Sequence, residues 1–271
     1  MFVHLRNHTH YSLLRALPKV SDLIKEAKKM NAQALAITDY SNMYGTIEFY
    51  STCIKVGIKP IIGVEFTIIC NERKFQIVLL ARNNTGYKNL MRITSIVNTE
   101  NPLDPVLTDD ILTTYKEGIL VISGGFSGDV NNLLVIDKML AKKRIEFYKK
   151  NFGEYYYLEI NPQLSLDNAH AIRSETISFA KETNTPLLAT WNTHYFATQD
   201  KTTQKILYLV HGEENSNEEY ANFFQKDTFA FHVNLDEFNP FSDVPDATEN
   251  TLKVAELCTV EIPLGKWVFP A

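Results

Sequence analysis

Short apolar stretches that alternate with amphipathic stretches constrain the fold of this chain more than any other feature of its sequence. Residues 34–37 and 60–64 are almost wholly apolar and have the length of buried strands. Residues 21–30 and 46–55 place apolar side chains at helical spacing, and Ser21 is a candidate N-cap for the first of these helices. Strands that alternate with helices along a chain form mostly parallel sheets. The sequence therefore predicts an α/β fold.

The same alternation continues to about residue 211. We predict further strands over residues 75–81, 118–123, 155–160 and 186–190, and further helices over residues 86–97, 137–151, 169–182 and 199–211. The stretch 212–225 that follows is polar and acidic, which is typical of an exposed loop or a partner surface. We therefore expect a single domain over residues 1–271, with a barrel over about 1–211 and an acidic loop and C-terminal extension over about 212–271.

Composition and charge exclude several classes of protein. A chain of 271 residues with 45% hydrophobic content can bury one large core. The net charge of -5 argues against a dedicated nucleic-acid module, which would carry a basic face. Three widely spaced cysteines, Cys53, Cys70 and Cys258, predict neither a disulfide framework nor a thiolate zinc site, and they fit a reducing cytoplasm. No apolar run approaches the roughly 18 residues of a membrane-spanning helix, so we expect no membrane contact.

Two pairs of residues with a period of two lie where strands are expected, Arg6 with His8 and Asn192 with His194. A His-x-His or Asp-x-His pair would place two metal ligands on one strand face. Such ligands hold zinc, manganese or iron and leave a bound water to act as nucleophile. Arg6, however, keeps its proton at every working pH. A unit charge roughly 4 Å from a divalent ion costs about 8 kcal/mol at an effective dielectric of about 20, so a full metal cluster beside Arg6 is not expected.

Several segments resemble the polymerase and histidinol phosphatase (PHP) domain, and they occur in the family's order. These segments are residues 2–14, 34–43, 57–65, 79–90, 188–195 and 247–258. More narrowly, they are similar to the PHP domain that opens the alpha subunit of DNA polymerase III, the family C replicative polymerase of bacteria. The resemblance implies a specific α/β fold, which is a distorted seven-stranded (β/α) barrel of the PHP type. In such a barrel the site lies at the strand ends.

The resemblance also implies nine metal-ligand positions, and three of them still hold a suitable residue. The three residual ligands are His8, Glu65 and His194. The six degenerate positions are Arg6, Arg15, Tyr40, Gln76, Gly125 and Asn192. The resemblance therefore implies a site without catalytic residues and a domain without a bound cofactor. If the residual ligands bind an ion, the alternatives are zinc, manganese or magnesium.

The surviving residues also have structural interpretations. His8 and His194 are compatible with core histidines whose ring nitrogens are bonded to nearby acceptors. Glu65 is compatible with an ion pair, and we expect Arg6, with Arg15 as second candidate, to bond Glu65 or Asp39 inside the old cleft. Asp39 follows a strand and is a candidate cap for the next segment.

Two functions stay open at this point. The resemblance implies a structural and docking domain in DNA replication, within a parent chain that is a DNA-directed DNA polymerase and therefore a nucleotidyltransferase. Its partners would be the rest of the alpha chain and a proofreading exonuclease subunit, with DNA reached only through the parent. The alternative is a metal-dependent phosphoesterase, a 3'-5' exonuclease or pyrophosphatase, that works with a reduced metal set.

Overall fold

The protein is described here by a computed structural model that covers residues 2–210, 228–231 and 239–265. Within this part of the chain, seven strands form one curled sheet with the order β1-β2-β3-β5-β6-β7, and β4 pairs with β2. The strands are β1 (Ala34–Ile37), β2 (Lys59–Cys70), β3 (Arg73–Ala81), β4 (Val106–Leu107), β5 (Ile119–Ile122), β6 (Tyr156–Ile160) and β7 (Leu187–Ala189).

Helices cover the sheet on its outer side. They are α1 (Val20–Lys29), α2 (Thr46–Val56), α3 (Asn84–Glu100), α4 (Asp109–Thr114), α5 (Asp129–Ile136), α6 (Lys138–Phe152), α7 (Ala169–Glu182), α8 (Lys201–Val210) and α9 (Pro245–Leu257). Strands β1, β5 and β6 are buried along their whole length, as expected for strands that are covered on both faces. The predicted seven-stranded (β/α) barrel is confirmed.

The sheet is mixed rather than parallel throughout. β1 and β4 are parallel to β2, and β5, β6 and β7 are parallel to one another. β3 runs antiparallel to both of its neighbours, β2 and β5. The turn from β2 to β3 contains Asn71 and Glu72, both with positive φ, which is the geometry of a two-residue hairpin loop. The sequence predicted the strand over residues 75–81 but not its hairpin with β2.

The N-terminal segment joins the two ends of the sheet. His4 and Asn7 accept backbone hydrogen bonds from the β1 side, from Ala36 and Thr38 at 3.0 and 2.9 Å. On its other side, Arg6 accepts from the backbone of Thr193 at 3.1 Å, and His8 donates to Thr193 at 3.0 Å. The segment therefore lies between β1 and the chain that follows β7. This closes the barrel and places the side chains of Arg6 and His8 in the site.

Most predicted elements agree with the structure to within a few residues at their ends. The N-cap prediction was wrong, because Ser21 lies inside α1, which begins one residue earlier at Val20. The sequence reading missed β4, α4, α5 and α9. The predicted acidic loop at 212–225 lies outside the described residues, and the barrel boundary at 211 stays a prediction. In the described ranges, no helix is long and apolar enough to cross a membrane.

Candidate functional site

Arg6 lies at the centre of the site, and its side chain is fully buried. Its Nε and Nη2 donate to the two carboxylate oxygens of Glu65, each at 2.7 Å. Nη1 donates to Glu159 Oε1 at 3.0 Å and to the carbonyl of Gly124 at 3.1 Å, and Nη2 also donates to Ser127 Oγ at 3.1 Å. All five guanidinium N–H groups therefore have an acceptor. The prediction that Arg6 bonds Glu65 is confirmed.

Both members of this ion pair stay charged. Burial alone would raise the pKa of the Glu65 carboxyl, but the charges of Arg6 and His8 outweigh burial and hold this pKa well below its usual range. Burial alone would lower the pKa of the Arg6 guanidinium, but Glu159 and Glu65 together raise it above its usual value. The network therefore keeps a fixed cation between two carboxylates.

Asp39 does not bond Arg6 and instead holds the loop that follows His8. Its Oδ1 accepts from the backbone of Thr9 at 2.6 Å and from Ser12 Oγ at 2.5 Å, and its Oδ2 accepts from Thr9 Oγ1 at 2.8 Å. Its role is structural, as one sequence interpretation proposed. The bonds stabilise the earlier loop at residues 9–12 rather than cap the segment after Asp39.

The imidazole of His8 has acceptors on both sides. Nδ1 lies 3.0 Å from the carbonyl oxygen of Thr193, and Nε2 lies 2.9 Å from Glu65 Oε2. A carbonyl and an ionised carboxylate only accept hydrogen bonds, so each ring nitrogen of His8 faces an acceptor. The ring packs against Tyr40, at a centroid distance of 4.4 Å, and against His194, at 4.2 Å.

His194 has the opposite arrangement and is neutral. Its Nδ1 donates to the carbonyl of Asn192 at 3.0 Å, and its Nε2 accepts from the Tyr40 hydroxyl at 3.0 Å. Burial, and then the nearby charge of His8, hold the pKa of His194 well below its usual value. Burial also raises the pKa of Tyr40 well above its usual value, so the hydroxyl keeps the proton that it donates.

The three residual ligand positions do not fit a metal ion. Both oxygens of Glu65, both nitrogens of His8 and both nitrogens of His194 are engaged in the hydrogen bonds above. A metal would also meet the buried guanidinium of Arg6 within the same network. In the part of the chain that the structure describes, no group of three or more His, Cys, Asp or Glu residues is arranged to hold a metal ion.

Most of the degenerate positions make contacts of other kinds. The guanidinium of Arg15 lies over the ring of Tyr40, with 4.8 Å from Cζ to the ring centroid. Gln76 donates to Thr67 Oγ1 on the neighbouring strand at 3.3 Å. Asn192 is buried and has a φ of +53°. Arg15 and Tyr40 therefore lie at the site, whereas Gln76 belongs to the β2–β3 hairpin.

Gly125 is a position where the surrounding structure leaves no space for a side chain. Its φ is +56°, and a Cβ built there would lie 1.7 Å from Asn161 Oδ1. The Asn161 amide is fixed in place, because Oδ1 accepts from the backbone of Phe126 at 3.1 Å and Nδ2 donates to Glu159 Oε1 at 2.9 Å. Asn161 thus fills the space that a ligand side chain at position 125 would need.

The sequence analysis missed Glu159, the second carboxylate of the network. Its Oε1 accepts from Arg6, Asn161 and Thr190. The residue lies in β6, where every position is buried. A single ionisable residue inside an apolar strand needs a buried partner, and this was the signal that could have identified it.

Comparisons with known proteins point to one family. The PHP domain family matches residues 4–163 of this chain. DNA polymerase III subunit alpha of Borreliella burgdorferi is 34% identical over 273 residues, which is 95% of this chain, and that of Escherichia coli K12 is 30% identical over 277 residues, or 99%. The chain spans 24% of the length of each of these relatives. An amidohydrolase from Chromobacterium violaceum shares the fold with a TM-score of 0.53 and 13% identity, over 72% of this chain and 88% of its own.

Proposed function

This chain belongs to the PHP domain family, and from that premise we propose that it is the N-terminal domain of a bacterial replicative DNA polymerase III alpha subunit. The similarity to these subunits extends over nearly the whole chain, which supports the proposal. In this role the domain is structural and forms a docking surface in DNA replication. The main support for the proposed lack of hydrolytic activity is that Arg6 bonds Glu65 and Glu159. It does so at the place where the family would hold metal ions.

The charges in this network explain why it does not act on phosphate. The Arg6 guanidinium is paired with the carboxylates of Glu65 and Glu159, so its positive charge is compensated within the network. Hydrolysis of a phosphate ester needs uncompensated positive charge on the developing oxyanion and a means of activating water. The N–H donors of Arg6 are already bonded. The lone pair on Nε2 of His194 accepts a hydrogen bond from the Tyr40 hydroxyl. Among the described groups, Arg6 and His194 are therefore unavailable for these tasks.

The proposed partners follow from the length of the relatives. The remaining three quarters of such a chain would carry polymerisation, and the domain would pack against it. A proofreading exonuclease subunit is the second proposed partner, and DNA is reached only through the parent polymerase. No metal cofactor is assigned to this domain, because its candidate ligands are bonded to one another.

An activity assay tests the proposed absence of catalysis. Purified protein is incubated with a phosphomonoester, pyrophosphate or 3'-labelled DNA in the presence of manganese or zinc, and we expect no turnover above that of the buffer. Turnover that disappears in His8→Ala would overturn the proposal and support a metal-dependent phosphoesterase with a reduced ion set. The matched control for His8→Ala is Lys74→Ala, which changes an exposed surface pair. A loss of turnover in both variants would come from their preparation and not from the site.

The docking role is tested separately. The remainder of the parent chain is expressed without this domain, and the domain is added in trans. We expect the two parts to co-elute in size-exclusion chromatography and the polymerase to gain thermal stability. Two parts that stay separate, with unchanged polymerase stability, would contradict the docking role.

A further inference from the structure

A small cavity lies beside the Arg6 network, between β6 and α7. Its volume is about 20 Å³, which is enough for one water molecule. Its polar lining residues are Asn131, Glu159, Asn161, Gln163, Arg173 and Thr176. The cavity therefore borders the carboxylate that accepts from Arg6, but it is separate from the old ligand positions.

Three of the lining residues carry a buried polar atom without a hydrogen-bond partner among the described residues. These atoms are Glu159 Oε2, Gln163 Oε1 and Arg173 Nε. In each case the rest of the side chain is bonded. Gln163 Nε2, for example, donates to the carbonyls of Trp191 and Thr228 at 2.9 and 2.8 Å. The orphaned atoms are thus parts of fixed side chains that share one cavity.

The polar groups of the lining asparagines and the threonine already have hydrogen-bond partners elsewhere. Asn131 donates to the carbonyl of Glu159 and to Thr176 Oγ1, each at 3.0 Å, and accepts from Ser123 Oγ at 2.7 Å. Thr176 donates to the carbonyl of Ile172 at 2.7 Å. The unfilled hydrogen-bonding capacity of the cavity therefore consists of two acceptors, on Glu159 and Gln163, and one donor, on Arg173.

We propose that this cavity is a binding site for a single water molecule that donates to Glu159 Oε2 and Gln163 Oε1 and accepts from Arg173 Nε. A water has two hydrogens and accepts through its lone pairs, so it matches two acceptors and one donor. An ammonium or metal cation cannot accept the Arg173 N–H and is repelled by the guanidinium. An anion cannot donate to the carboxylate.

The bound water joins the core network to the parts of the chain that return after α8. Gln163 bonds the carbonyl of Thr228, and Arg173 donates to both carboxylate oxygens of Asp243 at 2.6 Å. Through Glu159, the same water connects these two segments to Arg6. The inference stands on cavity chemistry alone and does not depend on the polymerase role.

Nuclear magnetic resonance of the intact chain tests the site without a mutation. The Hε proton of Arg173 is detected through its correlation with Nε. If a water is bound beside it, this proton shows a nuclear Overhauser cross-peak at the water frequency, with the sign of a dipolar contact. Arg144 is the matched control, because its buried Nε donates to Asp129 Oδ2 at 2.7 Å. We expect the water cross-peak for Arg173 and none for Arg144. Its absence from Arg173, or equal peaks at both, would overturn the proposal.

A crystal structure gives the second measurement. We expect one density peak within hydrogen-bonding distance of all three orphaned atoms. An empty cavity would overturn the proposal. Crystals grown with rubidium in place of potassium distinguish the remaining case, because an anomalous peak in the cavity would mean that a cation, and not a water, occupies it.

Discussion

At the scale of single residues, the site is held by charged groups that lie far apart in the sequence. Arg6 bonds Glu65 and Glu159, which are 59 and 153 residues away. All three side chains are fully buried. Because a buried charge is stable only when it is paired, each of the three depends on the others. The described part of the site is therefore a buried ion network.

Arg6→Met tests this dependence. The methionine removes the cation and leaves Glu65 and Glu159 facing each other, so we expect a loss of roughly 3–5 kcal/mol in the free energy of unfolding. Urea denaturation measures it through a lower midpoint at an unchanged slope. The control is Lys74→Met, which removes a cation from an exposed pair with Asp104 and should cost about 1 kcal/mol or less. Equal losses for the two variants would contradict the network.

Gly125→Ala tests the fit of Asn161 against the backbone. The new Cβ would meet Asn161 Oδ1, and the left-handed backbone conformation disfavours alanine by roughly 1–2 kcal/mol. With the overpacking added, we expect a total loss of at least about 2 kcal/mol in the free energy of unfolding. The double variant Gly125→Ala with Asn161→Ala should lose less than the sum of the two single variants, since the clash is then removed. Strict additivity would show that the two residues do not compete for space.

Part of this site could be predicted from the sequence, and part could not. The Arg6–Glu65 pair followed from two facts, that both positions match the family's ligand positions and that arginine and glutamate attract. Glu159 matches no ligand position, so only its place in a buried strand marked it. The space filled by Asn161 depends on the φ of Gly125 and on the contact between two distant turns, and neither is encoded in a local pattern.

At the scale of elements, the sequence predicts where strands and helices lie better than how they pair. Helix α7 agrees with its predicted range of 169–182 because its apolar spacing is regular. The β2–β3 hairpin was missed, because its turn at Asn71 and Glu72 lacks the glycine that usually marks such turns. The short elements β4 and α4 leave too few residues for a periodic pattern to be recognised.

Asp243 lies in the segment before α9 and is bonded by Arg173 of α7. This ion pair makes the contact between the segment and α7 depend on pH. Hydrogen bonds from Arg173 hold the pKa of Asp243 below its usual range, although partial burial opposes them. The folded state therefore binds fewer protons than the unfolded state near pH 4, so the contribution is present at pH 7 and is lost as the pH falls through about 3.9 and below. We expect Asp243→Asn to lower the melting temperature at pH 7 and to lower it less at pH 3.

Asp104→Asn is the control for this pH dependence. Asp104 pairs with Lys74 at 2.7 Å, and both side chains are about half exposed. Exposed pairs contribute little, so this variant should change the melting temperature less at pH 7. An Asp243→Asn effect of the same size at both pH values would contradict the assigned role of its carboxylate.

At the scale of the whole molecule, the barrel is closed by backbone pairing of the N-terminal segment and by the apolar core on both faces of the sheet. His8 bonds Glu65, His194 bonds Tyr40, and Arg6 joins Glu65 to Glu159. We therefore predict that the stability of the fold does not depend on a bound ion.

Chelation tests this conclusion. A ligand that binds only the folded state raises the melting temperature, so its removal would lower it. We expect excess EDTA, or added zinc or manganese, to leave the melting temperature unchanged within error. A fall of several degrees on chelation, reversed by one equivalent of metal, would mean that a structural ion is bound after all.

The position of Arg6 at the start of the chain has a consequence for synthesis on the ribosome. Its second carboxylate, Glu159, and its closing neighbour, Thr193, are made long after it. At 5–20 residues per second, roughly 10–40 s separate the emergence of Arg6 from that of Thr193. During this interval the N-terminal segment lacks its backbone partner at Thr193, although Glu65 has already been made. Closure of the barrel at this seam therefore comes late in the synthesis of the described domain.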